Sequence, residues 1–145
     1  MKIEKSFFLV VIQFTCLGYL LLSSPWLAPF WWLIIIQVIG LIIGVWSVIS
    51  MNARTLNVFP DVREKASLVK KGPYGVIRHP MYLSICLFTI PLLIAYFNWI
   101  RLVIMILLLI DIFFKIHYEE KLLAKHFPGY TSYKNKTWKM IPFLY

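Results

Sequence analysis

The chain has 145 residues, of which 61% are hydrophobic and 14% are charged, and its mean hydropathy is +0.78. This composition excludes an ordinary soluble domain and predicts one all-α integral membrane domain over residues 1–145. The net charge of +9 does not indicate nucleic-acid binding, because the basic residues are spread over three segments beside apolar runs and form no nucleic-acid motif.

Four apolar segments follow in chain order, each close to the ~20 residues that a helix needs to cross a ~30 Å hydrocarbon core. Backbone groups inside lipid must be paired within their own segment, so each segment is predicted to be a transmembrane helix. The segments cover residues 6–23, 30–50, 81–98 and 101–118. The first is alternatively a signal peptide, but its length exceeds the ~7–15 apolar residues of a signal core, which favours a retained helix.

These segments organise the chain into two N-terminal spans (1–50), a loop (51–80), a transmembrane hairpin (81–118) and a tail (119–145). Lysine and arginine are concentrated before the first span, in the loop and in the tail, whereas the opposite side has only Arg101. Cytoplasmic segments carry the excess of basic residues, so both termini and the loop are predicted to be cytoplasmic, with the protein in a cytoplasmic membrane.

The third and fourth segments are separated by a short connection at residues 98–101, which predicts an antiparallel helical hairpin. Eighteen residues back along one arm lies Pro80, and eighteen forward along the other lies Glu119. At ~1.5 Å per residue both arms are about 27 Å long, so their ends are expected at one depth on the cytoplasmic face. The hairpin should therefore bring His79 close to Glu119 and Glu120.

The stretch GPYGVIRHPMY at residues 72–82 predicts a ligand pocket at the start of the third segment. Pro80 suits the first turn of a helix, whose free amides and positive dipole end favour an anion. Glycine and proline permit close backbone approach, tyrosine offers a flat face, and histidine titrates near neutral pH. These residues are Gly72, Pro73, Tyr74, His79 and Tyr82. With the glutamate pair, they predict a cytoplasmic pocket for a zwitterion that also carries a positive centre and a flat ring.

Simpler roles exist for several of these residues. Arg78 and His79 can anchor a helix among lipid headgroups, and Glu119 can pair with Lys115 on the same helix; the shared depth of the motifs favours a common site. Asp111 lies inside the fourth segment, where an acid is costly and usually functional. It has two open interpretations, a structural hydrogen-bond role and a place in a substrate tunnel. The cysteines lie in apolar segments without partners at metal-ligand spacing, so no metal site is predicted.

Two motifs carry a family resemblance. LVKKGPYGVIRHPMYLS, followed after the hairpin by EEKLLAKHFPGYTSYKNKTWKMIP, resembles the membrane methyltransferase family that includes isoprenylcysteine carboxyl methyltransferase and the phospholipid N-methyltransferases. The resemblance covers residues 52–142, with Gly-Pro-Tyr, Arg-His-Pro-x-Tyr, Glu-Glu and a closing Ile-Pro in order. It implies an enzyme that binds S-adenosylmethionine at the cytoplasmic membrane face and methylates a lipid or another lipophilic or small acceptor through a carboxylate, amine or thiol.

The resemblance also implies residue roles. The cofactor would be lined by Gly72, Pro73, Tyr74, Arg78, His79, Pro80, Tyr82, Glu119 and Glu120. An amine acceptor would require a base, for which His79 and Glu119 are the candidates, while Arg78 could meet a phospholipid headgroup; these three form the predicted catalytic set. Tyr130 and Tyr133 would fold back as a lid on the substrate side, where Asp111 is the other candidate.

Two other classes of protein remain as alternatives. Membrane sterol and steroid reductases share the Arg-His-Pro-x-Tyr element and use a nicotinamide cofactor, but typically continue with Gly-Glu where this chain has Leu83 and Ser84. A non-enzymatic membrane accessory protein would bind no nucleotide and would tolerate Glu119→Gln. No Gly-x-Gly-x-x-Gly fingerprint is present, so a Rossmann-type cofactor site is not predicted.

Overall fold

The computed structural model describes residues 2–51 and 68–142, with side chains from residue 6 onward. Helices make up 74% of the structure, and the described ranges contain no strand, which confirms the predicted all-α class. The elements are α1 (Lys2–Leu22), α2 (Trp31–Ser50), a 3-10 turn (Gly72–Gly75), α3 (Pro80–Ala95), α4 (Trp99–His126) and α5 (Tyr130–Lys134). Most of the predicted cytoplasmic loop, with its basic residues at 54, 63 and 65, lies outside the described residues.

The helix boundaries follow from local chemistry. Pro80 is the first residue of α3, as its missing N–H predicts. Asn98 caps α4, because its side-chain Oδ1 accepts a 2.8 Å hydrogen bond from the backbone N–H of Ile100. Helix α4 then continues to His126, past the predicted end of the apolar segment at residue 118. The glutamate pair therefore lies within α4, and the tail begins after His126.

Two helix pairs dominate the packing, α2 against α3 and α1 against α4, while α3 and α4 contact each other less extensively. Gly40 and Gly44, one turn apart on α2, allow α3 to approach closely. A Cβ atom at Gly40 would lie 2.8 Å from the Cβ atom of Leu87, and one at Gly44 would lie 3.0 Å from Ser84 Oγ. This is the close approach that a GxxxG motif provides between membrane helices.

Buried side chains from α1, α3 and α4 form the core, and apolar side chains also cover the outer faces. The core cluster contains Cys16, Leu20, Cys86, Met105, Leu108, Ile112 and Ile116. On the outside, Ile42, Trp46 and Phe114 are each more than half exposed, whereas Gln37 is buried and hydrogen-bonded. Apolar side chains on the outside, with a polar side chain such as Gln37 hydrogen-bonded inside, are suited to a lipid environment.

Helix α2 (Trp31–Ser50) has the length and composition needed to cross a membrane. Two further apolar helices are shorter, Ser6–Leu22 and Pro80–Ala95. Helix α4 is longer, but it carries Arg101, Asp111 and Lys115 within its apolar stretch. Within residues 2–51 and 68–142, one helix thus has the length and composition of a membrane span, and the count of four spans stays a prediction.

Candidate functional site

The predicted motif residues meet where α3 begins, beside the second half of α4. His79 lies between the two glutamates: its Nδ1 is 3.4 Å from Glu119 Oε2, and its Nε2 is 3.6 Å from Glu120 Oε1. The beginning of α3 thus lies next to the far part of α4, as in an antiparallel hairpin. His79, Glu119 and Glu120, which are expected at the same depth from the lengths of the two arms, are therefore close together in the structure.

His79 is buried between negative charges. Burial alone would lower the pKa of its imidazole, but the two carboxylates outweigh burial, so the pKa of His79 lies above its ordinary value of 6.5. Its Nε2 makes no hydrogen bond within the described residues. His79 is therefore held between the two glutamates in a setting that favours its protonated form.

Glu120 is the structural member of the carboxylate pair. Its side chain is 9% exposed; it accepts a 2.8 Å hydrogen bond from Arg78 Nε, and Lys134 Nζ lies 3.7 Å away. Burial would raise the pKa of Glu120, but His79 and Arg78 together lower it to about 2. Glu120 is thus ionised and lies within 4 Å of three basic side chains, those of Arg78, His79 and Lys134.

Glu119 is the more accessible carboxylate, with a side chain that is 22% exposed. Its Oε1 accepts a hydrogen bond from the hydroxyl of Tyr82, and its Oε2 faces His79. The ring of Tyr82 stacks on the imidazole, with ring centroids 5.8 Å apart and an interplanar angle of 22°. Glu119 thus combines a fixed orientation with room for an additional partner.

Arg78 joins α4 to the C-terminal tail. Besides Glu120, its guanidinium donates to the backbone carbonyl of Lys134 at 3.0 Å and to that of Thr137. The neighbouring backbone completes the connection, because the amide of Arg78 donates to the carbonyl of Trp138 at 2.8 Å. The guanidinium thus donates its hydrogen bonds to other protein groups, and Arg78 as a whole is 9% exposed.

The tail folds back over this region, with Tyr130 and Tyr133 buried in it. The hydroxyl of Tyr133 donates a 2.6 Å hydrogen bond to the carbonyl oxygen of Tyr74. The Tyr130 hydroxyl, also buried, has no hydrogen-bond partner in the described ranges. Burial raises the pKa of Tyr133 to about 12 and, with the charge of Glu120, also raises the pKa of Tyr130, so both are neutral hydroxyls.

The turn before α3 is fixed by its contacts. Gly72 has a φ of +60°, and a Cβ atom there would overlap Ser50 Oγ and lie 3.0 Å from Trp46 Nε1. Glycine is therefore required by the end of α2 and by the backbone. Pro73, Tyr74 and Pro80 are buried. Burial and then the charge of Glu119 raise the pKa of Tyr74, so its phenol is neutral.

Asp111 lies deeper in the bundle than the glutamate pair, and it is buried. Neither carboxylate oxygen has a hydrogen-bond partner among the described residues. Lys115, which the i+4 spacing makes a partner of Asp111 or of Glu119, donates instead to Oε1 of Gln13 on α1. The role of Gln13 was not predicted, although a polar residue inside an apolar span is the signal that identifies such positions.

Comparison with known families gives one match. A model of the phospholipid methyltransferase family matches residues 30–129, which is more than half of the chain. The match contains α2, α3 and α4, the whole first motif and the second motif as far as Gly129, and it confirms the methyltransferase resemblance. Neither the comparison with curated proteins nor that with solved structures finds a match.

Proposed function

Because the chain belongs to the phospholipid methyltransferase family, we propose that it transfers a methyl group from S-adenosylmethionine to a lipid or other lipophilic acceptor at the cytoplasmic face of a membrane. The observation that carries this proposal is the meeting of His79, Tyr82 and Glu119 inside the matched region, with an accessible carboxylate at its centre. The distribution of lysine and arginine supports the cytoplasmic side.

The described residues fit this cofactor, which carries an ammonium group, a carboxylate, a sulfonium and an adenine ring. Glu119 has an exposed fraction that can receive an ammonium group. Two buried polar atoms, His79 Nε2 and the Tyr130 hydroxyl, make no hydrogen bond within the described residues and would gain one from a ligand. We assign direct contact with the cofactor to Gly72, Pro73, Tyr74, His79, Pro80, Tyr82 and Glu119, and a supporting position in the same site to Glu120.

The assigned residues divide by the contacts they make. Glu119, with Tyr82 fixing one of its oxygens, is the group for the cofactor's ammonium. The first-turn amides of α3 are suited to its carboxylate, because N–H groups at a helix start lack intrahelical partners. Glu120 and Arg78 do not contact the cofactor directly; they hold α4, the turn and the tail together. We therefore propose that Arg78 positions the site and does not touch the reacting atoms.

When bound, S-adenosylmethionine supplies an electrophilic methyl group on its sulfonium sulfur. The protein's task is to align an acceptor with this methyl group and to exclude water. The folded-back tail, with Tyr130 and Tyr133 buried against the turn, supports the exclusion of water. For an amine acceptor, His79 and Glu119 are the proposed proton acceptors. His79 can accept a proton only in its neutral form, and its raised pKa moves that condition to higher pH.

Binding of S-adenosylhomocysteine to the detergent-purified protein, measured by calorimetry with NADPH as the parallel ligand, tests the proposal. Saturable binding of S-adenosylhomocysteine alone is expected. Binding of NADPH alone would replace the proposal with a reductase function, and binding of neither ligand to protein that unfolds cooperatively would replace it with a non-enzymatic accessory role.

Glu119→Gln separates the site from the fold. It should weaken S-adenosylhomocysteine binding at least about tenfold, because hydrogen bonds to charged groups contribute about 1.5–3 kcal/mol. The matched control is Lys121→Gln, which removes an exposed charge two residues further along α4. Equal affinities in both variants would remove Glu119 from the site.

A further inference from the structure

The face of α4 that points away from the other helices has an apolar groove along its middle. The groove has a volume of about 400 Å³ and is lined by five side chains, all from α4: Ile106, Leu109, Ile110, Phe113 and Phe114. Each of them is at least 40% exposed, so the groove opens to the surroundings of the protein. It therefore suits an apolar chain that lies along the helix.

Beyond the groove, the same face of α4 becomes basic. His117, Lys121 and Lys125 follow Phe113 at intervals of four residues, a spacing that keeps side chains on one side of a helix. The ring of His117 lies beside that of Phe113, with ring centroids 4.9 Å apart. All three basic side chains are exposed, and the two lysines take no part in the ion pairs of the two glutamates. They are therefore available to a negatively charged partner that also reaches the groove.

The basic residues lie at the level expected for lipid headgroups. Helix α4 begins at Trp99, and the stretch from Trp99 to His117 is about 27 Å long. The hydrocarbon core of a bilayer is about 30 Å thick. In the predicted span, the groove thus lies at the depth of the acyl chains, and His117 and Lys121 lie where the phosphate groups begin.

This face of α4 is separate from the proposed cofactor site. His117 and Lys121 each lie two residues from Glu119, and residues two apart on a helix point to opposite sides. Glu119 is directed towards His79, which is buried in the bundle. The body of α4 therefore lies between a ligand in the groove and the residues proposed to bind the cofactor.

We propose that this outward face of α4 binds an anionic phospholipid of the surrounding membrane, at a site separate from that of methyl transfer. One acyl chain lies in the groove, and the phosphate accepts hydrogen bonds from the imidazole of His117 and the ammonium group of Lys121. A headgroup with net negative charge is favoured over a zwitterionic one, because basic residues near a membrane surface attract anionic lipid. The lipid is held through both its charge and its chain, so inorganic phosphate does not replace it.

Histidine labelled with ¹⁵N in its ring reports on this site directly. The chain contains three histidines, His79, His117 and His126, and the variants His117→Gln and His126→Gln assign their signals. The intact protein in a non-ionic detergent would be titrated with dilauroyl phosphatidylglycerol. Dilauroyl phosphatidylcholine, which has the same chains, and inorganic phosphate, which has none, are the controls.

Phosphatidylglycerol should shift the His117 signal saturably, and the two controls should leave it in place at the same concentrations. A His117 signal that phosphatidylglycerol does not move would overturn the proposal. An equal shift with phosphatidylcholine would exclude recognition of the negative charge, and an equal shift with inorganic phosphate would exclude a role for the acyl chain; either result would also overturn it.

Lys121→Gln tests the contact with the phosphate. Its affinity for phosphatidylglycerol, measured by calorimetry, should fall about fivefold, which corresponds to the roughly 1 kcal/mol that one basic residue contributes near an anionic membrane surface. The matched control is Lys136→Gln, which removes an exposed lysine of the tail and changes the net charge equally. Equal affinities in the two variants would indicate general attraction to positive charge and would contradict a site on α4.

Ile110→Trp tests the groove by filling it with a larger apolar side chain. Its affinity for phosphatidylglycerol should fall at least about fourfold, the change expected when one methylene group of the acyl chain is displaced. Val103→Trp is the matched control, because Val103 is an exposed residue of α4 two turns earlier that does not line the groove. Wild-type affinity in Ile110→Trp would show that the acyl chain lies elsewhere.

Discussion

Replacing Arg78 by methionine should release the tail from α4 and the turn. The substitution keeps much of the side-chain length but removes the guanidinium, which donates to Glu120 and to the carbonyls of Lys134 and Thr137. Glu120 would then lose its best-placed partner while remaining buried. Breaking a buried ion pair by removing one member typically costs about 3–5 kcal/mol, because the other charge is left uncompensated.

The electrostatics of Glu120 give a similar magnitude. Burial would raise its pKa, yet His79 and Arg78 lower it from 4.5 to about 2. At about 1.4 kcal/mol for each pKa unit, this lowering of about 2.5 units corresponds to about 3–4 kcal/mol, which the two cations share. The lost hydrogen bonds to two carbonyls add to the share of Arg78. We therefore expect Arg78→Met to destabilise the docked tail by about 3 kcal/mol.

Hydrogen exchange of the backbone amides in residues 130–139 measures this effect directly. A loss of about 3 kcal/mol corresponds to a roughly hundredfold fall in protection. The matched control is Lys134→Met, which removes a cation from the same carboxylate. Lys134 is half exposed and 3.7 Å from Glu120, so its loss should cost less than about 1 kcal/mol. Equal protection in the two variants would refute the assignment of Arg78 as the group that holds the tail.

Three further predictions follow from other contacts. Glu120→Gln should lower thermal stability in detergent more than Glu119→Gln does, because Glu120 has the buried ion pair; a reversed order would contradict the division of roles between the two carboxylates. The raised pKa of His79 predicts that its contribution to stability is complete below pH 6.5 and is lost as pH rises through the higher folded-state pKa. The difference in melting temperature between wild type and His79→Gln should therefore shrink over that pH range. A difference that stays constant with pH would exclude this linkage. Gly40→Val should destabilise the bundle by about 1–3 kcal/mol, because α3 occupies the space that the valine side chain needs. Gly18→Ala should have little effect, because nothing lies within 4 Å of the added Cβ atom. Similar melting temperatures in the two variants would be inconsistent with this packing.

The meeting of His79 with the glutamate pair could be predicted from the sequence because it depends on regular geometry. Two apolar helices joined by a short connection place residues at equal distances from the turn side by side. The structure has His79 within 3.4 Å of Glu119 and within 3.6 Å of Glu120. Helix rise and hairpin topology were sufficient for this part of the site.

The end of α4 and the contact between α2 and α3 had signals that the prediction did not use. The apolar segment ends near residue 118, but no helix-breaking residue occurs until Pro128 and Gly129, so the helix continues as an amphipathic one to His126. Gly40 and Gly44 form the GxxxG pattern that marks a close helix contact.

The partners of Arg78 and Lys115 could not be predicted from sequence. Arg78 donates to backbone carbonyls of the tail, which every residue possesses and which therefore leave no mark in the sequence. Lys115 binds Gln13 across the bundle in place of the neighbour that i+4 spacing offers. Both contacts depend on tertiary packing. They determine which charged side chains have a hydrogen-bond partner among the described residues and which, like Asp111, have none.

Methyl transfer itself tests the central claim most directly. Purified protein in vesicles of phosphatidylethanolamine and phosphatidylglycerol would be incubated with S-adenosylmethionine labelled in its methyl group, and the extracted lipid fraction would be counted. The expected result is time-dependent label in lipid with wild type and at least about tenfold less with Glu119→Gln. Methyl transfer by Glu119→Gln at the wild-type level would contradict the proposed site. No transfer by the wild-type protein to either lipid would contradict the proposed acceptor class.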